Sequence, residues 1–283
     1  LTRFKKNNKK MPYMLFSPHH FDVTKQVVGE NVYIDGKTVV DKHRAREQHR
    51  GLCRELSTTA SPVDANLPDQ VFVANAGLSL PRLPRKVVVL SHFKYAVRNP
   101  EVPPFRRWLE ARGVQCVQFP KTHVFEGQGE CKWFHNGRLL VVGYGFRCTK
   151  ESVDVLRNLI EDVYSGFGVE PPVVVGLELS SPLFYHMDLA VAESSASSCV
   201  AHKGAFVYPA ALERLVRVTW WATRDWFMLN CVVTPYRVVV HRLRSEKDRD
   251  FMKTCFSPRR IVEVDVSEFE KSGGAVKCMV FQL

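Results

Sequence analysis

Leu139–Gly143 reads LLVVG, Ser152–Tyr164 reads SVDVLRNLIEDVY, and Val173–Leu179 reads VVVGLEL. The middle stretch repeats apolar residues at i, i+3, i+4 and i+7, the period that gathers them on one face of a helix. The runs on either side are short, continuous and rich in β-branched residues, as buried strands are. A strand, an amphipathic helix and a second strand in this order make an α/β unit.

Outward from this unit the same texture recurs. Strands are predicted at Val71–Val73, Lys86–Leu90, Gln115–Phe119, Leu189–Ala192, Ala205–Val207, Met228–Val233, Val238–His241, Ile261–Val266 and Ala275–Phe281. A helix at Pro104–Arg112 stops at Gly113. Further helices are predicted over Asp41–Leu56 and Glu213–Phe227, the second with Trp220 and Trp221 as core residues. Met11–Val23 reads as a first strand and turn, and Val32–Val40, around Asp35-Gly36, as a small hairpin. No linker-like gap interrupts the pattern, so residues 11–283 are expected to form a single domain behind a flexible basic arm at 1–10.

A hydrophobic share of 45% with 24% charged residues belongs to a globular chain rather than a disordered one. The apolar runs are far too short to span a bilayer. Leu1–Lys10 is basic and polar with no apolar core, so no secretory signal peptide is expected there, while the opening Leu leaves room for a removed targeting segment. Eight cysteines occur without a CxxC pair or zinc-finger spacing, so no metal or other cofactor is expected. They read as reduced thiols of an intracellular compartment, cytoplasm or mitochondrial matrix. The net charge of +11 asks for an anionic partner or a large solvated face. Lys5, Lys6, Lys9 and Lys10 in the arm, and Arg44, Arg46 and Arg50 in the next basic cluster, are candidate contacts for RNA or an acidic protein. Each run by itself reads more readily as a solvated face.

Three stretches offer chemistry. Ser272–Leu283 is SGGAVKCMVFQL, in which a short apolar strand carries Cys278 after two glycines. That thiol is either a buried small hydrophobe or a nucleophile supported from elsewhere. Phe125–Glu130 is FEGQGE, either a β-turn with solvated glutamates or a carboxylate on a backbone that approaches a ligand closely. Tyr185–Asp188 is YHMD; on a strand, His186 and Asp188 would share a face, as a polar edge or as an imidazole beside a carboxylate.

In chain order, Glu, then His-x-Asp, then a near-terminal Cys, the stretches resemble the guanidine-modifying superfamily of arginine deiminases, dimethylarginine dimethylaminohydrolases, arginine dihydrolases and amidinotransferases. PHHFDV (Pro18–Val23) looks like the family's first strand, and PDQVFVANAGL (Pro68–Leu78) is similar to its PDxVFTANAGL block. FEGQGE resembles FEGxGD, and GYGFRCT (Gly143–Thr149) resembles GYGxRT. LELSSPLFYHMDLA (Leu177–Ala190) resembles LELxDPxFYHLDTA, and GGAVKCM (Gly273–Met279) resembles GGSxxCM. The resemblance implies an α/β fold of the pentein type, a five-bladed α/β propeller of repeated ββαβ units around a substrate cleft. It further implies Cys278 as nucleophile, His186 as acid and base, and Glu126 as its partner. Asp188, Asn75, Arg147 and Asp69 would be substrate contacts, with Asp188 on the guanidinium and Arg147 on a substrate carboxylate. Asn75 stands where arginine deiminases carry Asp and arginine dihydrolases carry Asn.

Three departures accompany it. The INPWM segment of dihydrolase-like relatives is replaced by TKQVVGENVYIDG, Glu130 replaces Asp, and Cys148 replaces the Thr after Arg147. The expected activity is a thiol-dependent hydrolase, or an amidinotransferase, acting on the guanidino group of arginine or a methylated arginine. The alternative is an enzyme-derived, inactive subunit of a ribonucleoprotein such as a mitochondrial ribosome, held through its basic patches.

Overall fold

The computed structural model describes residues 13–23, 29, 31–63 and 66–283. The arm at 1–10, with Lys5, Lys6, Lys9 and Lys10, lies outside the described residues. The chain begins with β1 (Tyr13–Phe16), α1 (Lys42–Glu55) and β2 (Ala60–Ser61). Next come β3 (Gly77–Leu80), β4 (Val87–Leu90), α2 (Val102–Glu110) and β5 (Gln115–Gln118), then β6 (Cys131–Phe134), β7 (Leu139–Tyr144), α3 (Lys150–Gly166) and β8 (Val173–Glu178). A short α4 (Met187–Ala190) leads into β9 (Val191–Ser195), β10 (Ser198–His202), α5 (Pro209–Glu213) and β11 (Arg217–Trp221). The last full unit is β12 (Val232–Val233), β13 (Arg237–His241), α6 (Glu246–Phe256) and β14 (Arg260–Val264), followed by α7 (Ser267–Glu270) and β15 (Phe281–Gln282).

These strands form five three-stranded sheets of one design. The middle strand pairs antiparallel with the strand before it and parallel with the strand after it, for example β4 with β3 and β5. A helix makes each parallel crossover, as the reversal of chain direction requires. The fifth sheet is assembled from both ends of the sequence. Tyr13 and Met14 of β1 pair antiparallel with Gln282 and Phe281 of β15, while Leu15 and Phe16 pair parallel with Ala60 and Ser61 of β2. The fold is a five-bladed α/β propeller of ββαβ units, closed by β15 on β1.

Local sequence explains the units. All four residues of β4 (VVVL) are buried, because a middle strand has a neighbour on each edge and packed side chains on each face. In α3, Thr149 caps the Ser152 amide, and Val153, Leu156, Ile160 and Tyr164 form the buried face. In α1, Asp41 caps the amides of His43 and Arg44, and Ala45, Leu52 and Cys53 face inward. Arg46 and Arg50 lie on its exposed face. Arg44 is tied within the fold, 3.1 Å from Asp265 and bonded to Ser267, so its charge is partly matched internally rather than left for a polyanion.

Several predicted elements differ. Val71–Val73 is not a strand; it leads into a 3-10 turn at Val73–Ala76, and pairing begins at Gly77. Residues 32–40 form no hairpin, because Asp35 accepts the amides of Lys37 and Thr38 and curls the chain locally. The helix predicted over Glu213–Phe227 does not form: only Glu213 belongs to a helix, as the last residue of α5, and Trp220 and Trp221 lie on β11. Residues 205–207 contribute only an isolated bridge, Leu179 to Phe206. Ala275–Val280 is turn and loop, so Cys278 is not on a strand. Among the described residues no helix is long and apolar enough to cross a membrane.

Candidate active site

Each blade opens with a strand, and the candidate residues sit on the connectors just before these strands. Asn75 precedes β3, Glu126 precedes β6, His186 and Asp188 precede β9, and Cys278 precedes β15. Asn230, which the sequence reading missed, holds the equivalent place before β12. The connectors lie against one another. The Ala74 amide donates to the Cys278 carbonyl (3.1 Å), and the Lys277 amide to the Asn230 carbonyl (3.2 Å). Close approach explains the glycines of FEGQGE. A Cβ on Gly127, at φ +61°, would strike the Gly77 backbone, and one on Gly129 would strike the Asn75 amide.

Glu126 and His186 meet at 2.9 Å through Nε2 and Oε2. The Asn75 amide nitrogen lies 3.4 Å from His186 Nδ1, so Nδ1 is the acceptor and Nε2 carries the proton that faces Glu126. Burial pushes the Glu126 carboxyl up, but Arg147, His186 and Arg98 together pull it down to about 2. It is therefore a fixed anion. The expected strand through His186 and Asp188 is absent: His186 caps α4, and that turn sends the two side chains in different directions. His186 reaches Glu126, whereas Asp188 Oδ2 accepts from Cys278 Sγ at 3.5 Å. The other oxygen of Asp188 has no hydrogen-bond partner among the described residues.

Cys278 is buried, and burial followed by the Asp188 charge raises its thiol well above the ordinary value. Asn230 works the other way, donating from Nδ2 to Sγ at 3.2 Å. Its Oδ1 accepts the amides of Lys277 (2.9 Å) and Cys278 (3.2 Å). Glu130 is fully enclosed, and neither carboxyl oxygen has a hydrogen-bond partner among the described residues. Burial and then the neighbouring Glu126 raise its pKa well above the ordinary carboxylate value.

Arg147 is stacked between the rings of Tyr95 and Tyr185 and bonds Glu126 Oε2 at 3.1 Å. It borders the pocket, but its guanidinium already holds the carboxylate that holds His186. Arg98, also missed, forks onto Glu101 at 2.8 and 2.9 Å and reaches Asn75 Oδ1 and the Asp69 carbonyl, both at 3.3 Å. Asp69, Asn75, Arg98, Arg147, His186 and Cys278 all line one pocket. Its volume is about 20 Å³, room for about one water. Asn31 and Ile34, from the segment that departs from INPWM, also line it. Asn31 bonds the Ser272 carbonyl (3.2 Å), and Tyr33 bonds that of Leu183 (3.2 Å), pinning the segment over the site. No group of three or more His, Cys, Asp or Glu side chains is arranged to hold a metal ion among the described residues.

No protein-family model matches the chain. It is 29% identical over 285 residues to the bifunctional arginine dihydrolase/ornithine cyclodeaminase AgrE of Nostoc, an alignment covering 96% of the chain and 37% of AgrE. It is 28% identical over 282 residues to the dimethylarginine dimethylaminohydrolase of Mycobacterium tuberculosis, covering 96% and 85%. The crystal structure of the N-terminal domain of ArgZ, an arginine dihydrolase of cyanobacteria, superposes with a TM-score of 0.82 at 26% identity, covering 95% of this chain and 96% of that one. In sequence and in fold the chain is similar to enzymes of the guanidine-modifying superfamily. It spans little more than a third of the bifunctional AgrE and nearly all of the N-terminal domain of ArgZ.

Proposed function

We propose that the protein is a thiol-dependent hydrolase acting on the guanidino group of arginine or a methylated arginine. The observation that carries this reading is that His186 and Cys278 line one pocket, each backed by a carboxylate, Glu126 at 2.9 Å and Asp188 at 3.5 Å. A guanidinium entering there would supply N–H donors to the partnerless oxygen of Asp188. Its positive charge would also offset the Asp188 charge that holds the thiol proton in place. Cys278 Sγ would then bond to the guanidino carbon, its proton passing through His186 to the departing amine as the C–N bond breaks. A water would next attack the thiouronium carbon, with His186 as base. The C–S bond breaks, the thiol regains a proton, and the second proton ends on the released amine. Entry of an amino acid requires Asn31–Ile34 to move, since the pocket is too small for one as it stands.

The relatives are guanidino-group hydrolases, and this favours an enzyme over an inactive ribonucleoprotein subunit. Purified protein should be incubated with arginine and with dimethylarginine while ammonia, dimethylamine and citrulline are measured. Product formation that is abolished by Cys278→Ser is the expected result. Folded wild-type protein that releases no amine from either substrate would overturn the reading.

A further inference from the structure

A second cavity, about 490 Å³, opens where β3 ends. It shares no lining residue with the catalytic pocket. The boundary between them falls within one dipeptide, because Lys277 lines this cavity and Cys278 lines the other. The size is that of a small-molecule site, more than twenty times the catalytic pocket.

Its chemistry is lopsided. Arg82, Arg85, Lys86 and Lys277 all line it. The facing carboxylate, Glu193, is already 3.2 Å from buried Lys132. The indole N–H of Trp133, another lining residue, is buried and has no acceptor among the described residues, a defect that a ligand oxygen would repair. Arg82 sits at φ +66°, a left-handed conformation costly for a long side chain, which persists where the surroundings impose it. Leu80 and Leu83 add apolar wall. A hydrocarbon body with anionic ends fits these features; a cation would meet four positive side chains.

The innermost group is Lys277. Its Nζ bonds Gln128 Oε1 (3.1 Å) and Gln282 Oε1 (2.9 Å), and burial and Lys132 lower its pKa to about 8. Gln128 lies two residues from Glu126 in FEGQGE, and Lys277 directly precedes Cys278. We propose that this cavity is a second ligand site, for a small organic dicarboxylate, and that its occupation is felt at Cys278 through Lys277. An anion there draws the ammonium toward the cavity, and the Lys277–Cys278 turn is the wall that moves with it. By linkage, whatever changes the thiol on one side changes dicarboxylate affinity on the other.

The test uses the full chain and glutarate as probe, with uncharged glutaramide and inorganic phosphate as comparisons. Calorimetry should show saturable glutarate binding that glutaramide does not reproduce. An Arg85→Ala/Lys86→Ala variant should bind glutarate at least tenfold more weakly. Saturating glutarate should change the rate at which a haloacetamidine labels Cys278 at least threefold, and the double variant should lose this response at the same concentration. Absence of saturable binding, or equal binding by the double variant, overturns the site. Phosphate binding as tightly as glutarate overturns the dicarboxylate assignment. Binding without any change in labelling overturns the coupling. Because labelling reads the thiol rather than turnover, these outcomes stand apart from whether arginine is hydrolysed.

Discussion

Asn230 and Cys278 are joined twice: the Asn230 amide donates to Sγ at 3.2 Å, and its oxygen accepts the Cys278 backbone amide at 3.2 Å. One side chain thus both solvates the sulfur and sets the turn that presents it. Asn230→Asp keeps the acceptor and replaces the donor with charge. The variant should fold, yet turnover should fall on the order of 10²-fold, and the pH midpoint for haloacetamidine labelling of Cys278 should rise. Asn230→Leu removes both functions and strands the buried Cys278 amide, at about 1–3 kcal/mol, while the Lys277 amide keeps the Asn230 carbonyl. Urea denaturation of the two variants separates the roles.

Replacing Glu126 by Gln keeps the shape but removes the anion shared by His186 and Arg147. The expected loss in kcat is on the order of 10²–10⁴-fold, the usual range for general acid–base support. Arg147 would be left buried without its carboxylate, which costs about 3–5 kcal/mol. A lower Tm accompanying the lost turnover checks the second part.

Gly127→Ala tests the contact between connectors. The new methyl would meet the oxygen, nitrogen and carbon of Gly77, all backbone, at a residue whose φ is +61°. Backbone does not step aside as a side-chain tip does, so the variant should lose more than about 3 kcal/mol. Gly166→Ala, where nothing lies within 4 Å of the added carbon, should be neutral or slightly stabilising.

His241 supplies a pH signature away from the site. Burial opposes its protonation, but Asp225 at 2.9 Å and Glu270 at 2.8 Å outweigh that and raise its pKa to about 9. A folded value above the unfolded value near 6.5 stabilises the fold fully below about pH 6.5 and ceases to do so as pH rises through 9. The contribution is on the order of 3 kcal/mol. The Tm gap between wild type and His241→Gln should therefore be wide at pH 6 and narrow by pH 10.

The sequence made the blades legible where apolar runs were long and strands alternated with helices, as around α3. It misled where a buried run was neither. AVKCMVF reads as a strand, but most of it is enclosed as turn, and periodicity cannot separate the two in so short a stretch. The same ambiguity hid β11: Val218 and Trp220 are partly buried while Arg217 and Thr219 are exposed, an alternation of period two that was read as helix. Glu126, His186, Asp188 and Cys278 stand out in the sequence because they lie in recognisable blocks. Asn230 lies in FMLNCVV, where nothing marks it; its place in the fivefold pattern does. Arg98 and Glu101 escaped notice because surface ion pairs and buried ones look alike in a sequence.

The closing pair of strands has a consequence for how the protein comes into being. Residues 281 and 282 must find residues 14 and 13 before the fifth blade exists, and contacts so distant along the chain form late and slowly. Cys278 stands three residues before that final strand, and the Ala74 amide reaches its carbonyl from the connector before β3. Four blades can assemble while the thiol remains bare. During synthesis it is an exposed oxidation target, and it becomes a sheltered group only when the ring shuts. Recovery of a protected Cys278 after refolding should lag the return of helical signal, making oxidative inactivation a hazard of birth more than of the mature protein.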